Sequence, residues 1–231
     1  MPSSYGQFCP VAMAAEILSK RWTLLVLREL MAGSTRFNEL RRGVPRMSPT
    51  LLSARLKELE DAGILCLTRD GAGPGLNEYD LTESGRELKA VVEAMGIWGQ
   101  RWIGADISLE NLDPSLLMWD MRRNLKTSPL PSDRTVINFI YSDLPDSQKH
   151  WWLIVESTGE VDLCYVDPGF EVDLFVTSDL RLMTAIWLGL TSVKNAVADD
   201  QLHLDGDGAI ALRMQEWLGL SPFANEPKRV N

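Results

Sequence analysis

Cysteine and histidine are scarce in this chain of 231 residues, which contains three cysteines and two histidines. Cys9, Cys66 and Cys164 are far apart and odd in number, so they predict no disulfide framework and suit a reducing compartment. Neither histidine has neighbours at the spacing of metal ligands. We therefore expect no metal site and no cofactor.

Long apolar runs are also absent, since no stretch approaches the ~20 apolar residues that span a bilayer. The first residues show neither a basic start nor an apolar segment, so we expect no signal peptide and no membrane insertion. The sequence has no nucleophile–base–acid set and no phosphate-binding loop, and Asp205–Gly208 lacks the spacing of an EF-hand. These absences argue against an enzyme and favour a cytoplasmic protein.

Charge is unevenly distributed along the chain, whose formal net charge is -9. Residues 20–57 contain nine basic and two acidic residues, a net charge of +7. Residues 105–231 contain 10 basic and 20 acidic residues, a net charge of -10. A local basic segment on an acidic protein predicts one region that contacts phosphate and another that does not.

The most informative stretch is residues 48–59, SPTLLSARLKEL. Ser48 can cap a helix and Pro49 suits its first position, while leucines recur every three or four residues on one face. The opposite face is small, polar and basic, and comprises Thr50, Ser53, Ala54 and Lys57. An ordinary amphipathic helix has this pattern too. However, the short helix RFNELRRG and the tight connection GVPRM precede it, which indicates a helix-turn-helix.

The segments that follow predict a wing and a long helix. Residues 64–68 and 78–82 are predicted as strands around a glycine-rich loop. Thr82 can cap a helix over residues 83–104 with a wide apolar stripe. That stripe could pack within its own domain. A dimer contact is favoured, because a small winged domain cannot easily bury both Trp98 and Trp102.

Three motifs carry a family resemblance: CPVAMAAEILSKRWTLLVLREL, RFNELRRGVPRMSPTLLSARLKELEDAGIL and YDLTESG, followed by the Trp98-Gly99 pair. Residues 8–104 resemble the MarR-like HxlR-type winged helix-turn-helix regulators, although Ser19 stands where the family often has glycine. The resemblance implies a dimeric bacterial transcription factor that binds double-stranded DNA through the helix beginning at Ser48. The residues expected at DNA are Ser48, Thr50, Ser53 and Lys57 at base edges, and Arg36, Arg46, Arg55 and Arg69 at phosphates.

Some members of that family sense oxidants through a cysteine at the position of Cys9. A thiol at a helix N-terminus is stabilised as thiolate by the helix dipole, which is compatible with a redox role. Alternatively, Cys9 merely caps and packs.

The C-terminal half is predicted to begin with a helix and linker over residues 105–133. A domain over residues 134–231 follows, and the helix, at residues 113–125, belongs to it. The first of four successive strands begins near Thr135, and alternation places the apolar residues of the strands on one face. Apolar helices follow.

Two segments, VDLFVTSDLRLMTAIWLG and LHLDGDGAIALRMQEWL, carry a second resemblance. Through them, residues 113–223 resemble the sterol-carrier-protein-like fold, which implies a tunnel for an apolar molecule between sheet and helices. The expected lining residues are Phe139, Leu153, Val155, Leu163, Tyr165, Leu174, Val176, Met183, Trp187, Met214 and Trp217. Alternatively, these side chains form an ordinary core.

The sequence thus predicts an α+β protein, with a winged helix-turn-helix domain over residues 1–104 and a sterol-carrier-like sheet covered by helices on one face. We expect a homodimeric transcriptional regulator modulated by an apolar effector. Two alternatives stay open: a regulator switched by Cys9, and a lipid carrier or enzyme fused to a DNA-binding arm.

Overall fold

The computed structural model describes residues 4–69 and 77–230, and it describes Arg69 by its backbone only. The chain forms two compact units that divide between Gly96 and Ile97. This division precedes the predicted boundary after residue 104, because residues 97–104 pack with the second unit.

The first unit is a winged helix-turn-helix. Its elements in chain order are α1 (Pro10–Leu18), α2 (Thr23–Met31), α3 (Phe37–Gly43), α4 (Pro49–Asp61), β1 (Leu65–Arg69), β2 (Asn77–Leu81), α5 (Glu83–Glu87) and the start of α6 (Lys89–Trp102). β1 and β2 pair antiparallel, with Leu65 opposite Leu81. Buried apolar side chains of α2, α3, α4 and β1 form one core, which includes Leu27, Leu40 and Leu56.

The predicted long helix over residues 83–104 is interrupted. α5 ends at Glu87 and α6 begins at Lys89. At the break, the Leu88 N–H donates to the carbonyl of Gly85, three residues earlier. This bond forms a tight turn, because an α-helical bond would join residues four positions apart. The prediction of one continuous helix was therefore wrong at its first turns.

The second unit continues from the last turns of α6. Its further elements are α7 (Ala105–Ser108), α8 (Pro114–Asn124), β3 (Thr135–Tyr141), α9 (Asp146–Lys149), β4 (His150–Val155), β5 (Val161–Cys164), β6 (Leu174–Ser178), α10 (Leu180–Trp187), α11 (Val193–Ala198), β7 (His203–Gly206), α12 (Gly208–Leu212) and α13 (Met214–Trp217). The five strands form one mixed sheet in the order β5-β4-β3-β6-β7. β3 is antiparallel to β4 and parallel to β6, so the chain crosses over between β5 and β6.

One face of this sheet carries the core of the second unit. Phe139, Leu153 and Val176 pack in a single apolar cluster with residues of α8, α10 and α13. The opposite face is less exposed to solvent than the alternation predicts, since Asn138 is also buried. Asn138 lies between Trp152 and Phe175 on the neighbouring strands, and these large side chains account for its burial.

Among the described residues, no helix is long and apolar enough to cross a bilayer.

Candidate nucleic-acid interface

α4 is held in place by a cap at its start and an apolar face along its length. The Ser48 hydroxyl accepts a hydrogen bond from the Leu51 N–H at 3.3 Å, and Pro49 occupies the first helical position. Leu52, Leu56 and Leu59 are buried in the core of the first unit. The sequence prediction of this helix, its cap and its buried face is confirmed.

The outer face of α4 is exposed. It comprises Thr50, Ser53, Ala54 and Lys57, all of which are solvent-accessible. These side chains are small or flexible, so the face can approach a flat or concave surface closely. A major groove admits an α-helix of this kind, and hydroxyl and ammonium groups can hydrogen-bond the base edges there.

α3 and the turn before α4 are fixed by their own contacts. The Glu39 carboxylate accepts from the backbone N–H groups of Thr35 and Arg36, at 3.0 and 3.1 Å, and so caps α3. Val44 and Met47 are buried in the turn, and the Met47 N–H donates to the Val44 carbonyl. The path from α3 into α4 is therefore set by packing as well as by backbone bonds.

A buried charge on α2 supports that turn. Glu29 is fully buried and pairs with Arg28 at 2.6 Å, and the same guanidinium donates to the Gly43 carbonyl at the end of α3. A Cβ at Gly43 would lie 1.8 Å from Glu29 Oε2, so only glycine fits there without displacing the carboxylate. Sequence reasoning missed this cluster. The available signal was the adjacent pair Arg28 and Glu29 within the mostly apolar segment WTLLVLRELM.

Several of the predicted phosphate ligands already have acidic partners. Arg55 pairs with Glu58, and its side chain is only 11% exposed. Arg36 pairs with Glu78 of β2 at 3.1 Å. Arg55 therefore differs from the sequence expectation of an exposed cation, because one turn of α4 separates it from Glu58 and the two side chains meet.

Lys57 lies between two carboxylates on the same helix. Hydrogen bonds to Asp61 and Glu60, with the charges of both, raise the pKa of Lys57 above its ordinary value. The ammonium therefore stays protonated at neutral pH. Arg46, another predicted phosphate ligand, is exposed in the turn before α4.

The wing is joined to α3 at its base. The Tyr79 N–H donates to the Thr35 carbonyl at 2.8 Å, and Arg36 forms a backbone bridge with Glu78. Arg69 was predicted to contact phosphate. Its side chain lies outside the described part of the chain, and so does the loop over residues 70–76.

Cys9 stands at the N-cap of α1 as a free, partly exposed thiol. Its sulfur makes no capping hydrogen bond of regular geometry. Nevertheless, the nearby backbone N–H groups of Ala12 and Val11 lower the pKa of the Cys9 thiol. A lowered pKa increases the thiolate fraction, which is the nucleophilic form.

Apolar side chains remain exposed on α1 and α6. Val11 and Met13 of α1 are more than half exposed, as are Met95 and Trp98 of α6, with Trp98 at 61%. Exposed apolar side chains of this size are candidates for contact with another molecule.

The residues expected to line an apolar tunnel lie mostly together in the second unit. Phe139, Leu153, Val155, Leu174, Val176, Met183, Trp187, Met214 and Trp217 belong to its core cluster, and Leu163 packs against it. Tyr165 differs from the expectation. β5 ends at Cys164, so Tyr165 follows the strand and is 68% exposed, with its ring 6.4 Å from that of Trp151.

Groups of histidine, cysteine, aspartate or glutamate that could hold a metal ion are absent from the part of the chain that the structure describes.

Comparison with known proteins locates the similarity in the first unit and the residues just after it. A family model described as HxlR-like helix-turn-helix matches residues 17–107. The chain is 37% identical over 113 residues to YvaP, an HTH-type transcriptional regulator of Bacillus subtilis, covering 48% of this chain and 96% of YvaP. It is 39% identical over 119 residues to Rv3095, an HTH-type transcriptional regulator of Mycobacterium tuberculosis, covering 46% of this chain and 73% of Rv3095.

Among solved structures, the redox regulator HypR in its reduced form is 34% identical, with a TM-score of 0.38, over 40% of this chain and 91% of HypR. The reduced transcriptional regulator YodB from B. subtilis is 37% identical, with a TM-score of 0.37, over 41% of this chain and 93% of YodB.

Proposed function

Because the chain belongs to the HxlR-like helix-turn-helix family of DNA-binding transcriptional regulators, we propose that it binds a palindromic operator as a cytoplasmic homodimer, with α4 in the major groove. The observation that carries this proposal is the exposed, small and polar outer face of α4 beside a fully apolar buried face. Its relatives are named as transcriptional regulators and not as enzymes.

Thr50, Ser53 and Lys57 would approach base edges, and Ser48 would lie beside them because its hydroxyl can still donate while it caps the helix. Two of the arginines predicted at phosphates pair with carboxylates in the structure without DNA. Arg36 and Arg55 would exchange a carboxylate for a phosphate, which lowers their net gain. Arg46 and Arg69 complete the proposed phosphate set.

A second copy of the chain is the occupant we propose for the exposed apolar surfaces of α1 and α6. Val11, Met13, Met95 and Trp98 would become buried in such a dimer. Two copies related by a two-fold axis would present two α4 helices to half-sites about 34–36 Å apart.

The second unit would hold the effector, an apolar molecule between the sheet and the helices, as a sterol-carrier-like domain does. Support comes from the apolar composition of the cluster that α8, α10 and α13 form with the sheet, which includes Met183, Trp187, Met214 and Trp217. To act as an effector, the molecule must bind the DNA-competent and DNA-incompetent states with different affinity.

Selection of operator sequences by the purified protein tests these proposals together. We expect an inverted repeat with half-site centres about one helical turn apart, bound by a dimer, and a steep loss of affinity between about 50 and 200 mM salt. Native mass spectrometry of the same sample, with organic extraction, would detect a bound apolar molecule. Selection of a single asymmetric site by a monomer would contradict the dimer. A change in operator affinity, in either direction, when the extracted molecule is added back to the ligand-free protein would identify it as the effector.

Cys9 supports a second candidate function, a switch by oxidants, because its thiol has a lowered pKa at the start of α1. If Cys9 is the switch, treating the wild-type protein with hydrogen peroxide, which oxidises a thiolate to a sulfenic acid and releases hydroxide, should change operator affinity by about tenfold, the range of ordinary allosteric coupling. Cys9→Ser should bind the operator but not respond. Cys66→Ser, at an exposed cysteine of β1, is the matched control and should respond like wild type. An unchanged response in Cys9→Ser would exclude this function.

A further inference from the structure

The C-terminal segment of the chain lies against the last turn of α6 and the residue that follows it. We call residues 221–230 the C-terminal strap. The Arg229 N–H donates to the Arg101 carbonyl at 2.8 Å, and the Lys228 ammonium donates to the Ile103 carbonyl at 2.7 Å. The last carbonyls of a helix have no partner within the helix. The strap supplies partners for the carbonyls at this end.

An ion pair and a cation–π contact join the same two segments. Arg101 donates through Nε and Nη2 to one carboxylate oxygen of Glu226, at 2.8 and 2.5 Å, and both side chains are partly buried. The guanidinium of Arg229 lies 5.8 Å from the ring centroid of Trp102. Partial burial strengthens such a charge-assisted contact relative to a fully exposed one.

The strap is also anchored to the end of α10. The Ser221 N–H donates to the Trp187 carbonyl at 2.9 Å. At Gly189, where φ is +73°, a Cβ would lie 2.7 Å from the Ala224 carbonyl oxygen, so the strap passes very close to the backbone there. The Gln100 side chain of α6 donates to the Leu188 carbonyl at 3.1 Å. Trp187 belongs to the core of the second unit, and its helix is thereby linked to α6 directly and through the strap.

We propose that the C-terminal strap is a positioning device that sets operator affinity by holding the last turn of α6. α6 is one helix, and it carries Met95 and Trp98, which are proposed for the dimer, followed by the exposed Trp102 in its last turn. When the strap is bound, this turn is ordered for dimerisation. When the strap is released, the turn frays and the dimer binds DNA less tightly. This inference rests on the proposed function, since it assumes a dimer that binds an operator through α4.

Charge reversal at the Arg101–Glu226 pair tests the proposal in the full-length protein. We expect Glu226→Arg and Arg101→Glu each to weaken operator binding on the order of tenfold. The double variant R101E/E226R should regain most of the lost affinity because it restores an ion pair. Glu216→Arg is the matched control, since it breaks the exposed pair Arg213–Glu216 of the same unit and should leave affinity unchanged.

Hydrogen exchange provides a readout that does not depend on DNA. Amides of residues 97–103 and of Arg229 should exchange faster in Glu226→Arg and return to the wild-type rate in the double variant. Unchanged exchange in Glu226→Arg would contradict the claim that the strap holds the last turn of α6, whether or not the protein binds DNA. Faster exchange with unchanged operator affinity overturns its regulatory role. Wild-type protein that binds no DNA would refute the proposed function and the regulatory role, whereas the exchange rates would still test the strap.

Discussion

Replacing Ser53 with glutamate is expected to weaken operator binding by about a hundredfold or more, which corresponds to about 2.7 kcal/mol. Ser53 is exposed in the middle of the outer face of α4. A carboxylate there would approach phosphates and the acceptor atoms of base edges, and would repel both. The free energy of unfolding should change by only about 0.5 kcal/mol, because the site is exposed and glutamate favours a helix more than serine does.

Fluorescence anisotropy with the selected operator measures the affinity, and urea unfolding measures the stability. Ser147→Glu is the matched control, since Ser147 is an exposed serine near the start of α9 in the second unit. It should bind the operator like wild type. If Ser53→Glu also binds like wild type, the outer face of α4 does not contact DNA, and the proposed docking is wrong.

Trp217→Ala should lower the free energy of unfolding of the second unit by about 3–5 kcal/mol, the usual cost of truncating a buried tryptophan. Trp217 is 0% exposed and belongs to the core between the sheet and the helices. Its indole N–H donates to the Ile210 carbonyl at 2.8 Å, and the substitution would leave that buried carbonyl without this donor.

Urea unfolding followed by far-ultraviolet circular dichroism measures this loss, and hydrogen exchange assigns it to the second unit. Leu212→Ala is the comparison, because Leu212 of α12 is 89% exposed and its truncation should cost almost nothing. A cost below about 1 kcal/mol for Trp217→Ala would show that Trp217 does not contribute to the core of the second unit as its burial indicates.

The local features of α4 could be predicted from the sequence because they depend on residues within a few positions of each other. Ser48 and Pro49 mark its start by a side-chain oxygen and a missing N–H, and Leu52 and Leu56 mark its buried face by helical spacing. The same reasoning failed at Leu88, where the apolar pattern continues through a tight turn. Periodicity in side chains does not report which backbone N–H groups are bonded to which carbonyls.

The sequence by itself thus determined the winged helix-turn-helix, the face of α4 that is buried, and the α+β character of the second unit, because capping and hydrophobic periodicity act over short distances. Only the tertiary structure decided that Glu29 is buried against Gly43, that Arg55 has a carboxylate partner, and that the C-terminal strap contacts α6. Arg101 and Glu226 are 125 positions apart. Neither spacing nor composition selects such a pair among the many charges of the chain, and packing brings these two together.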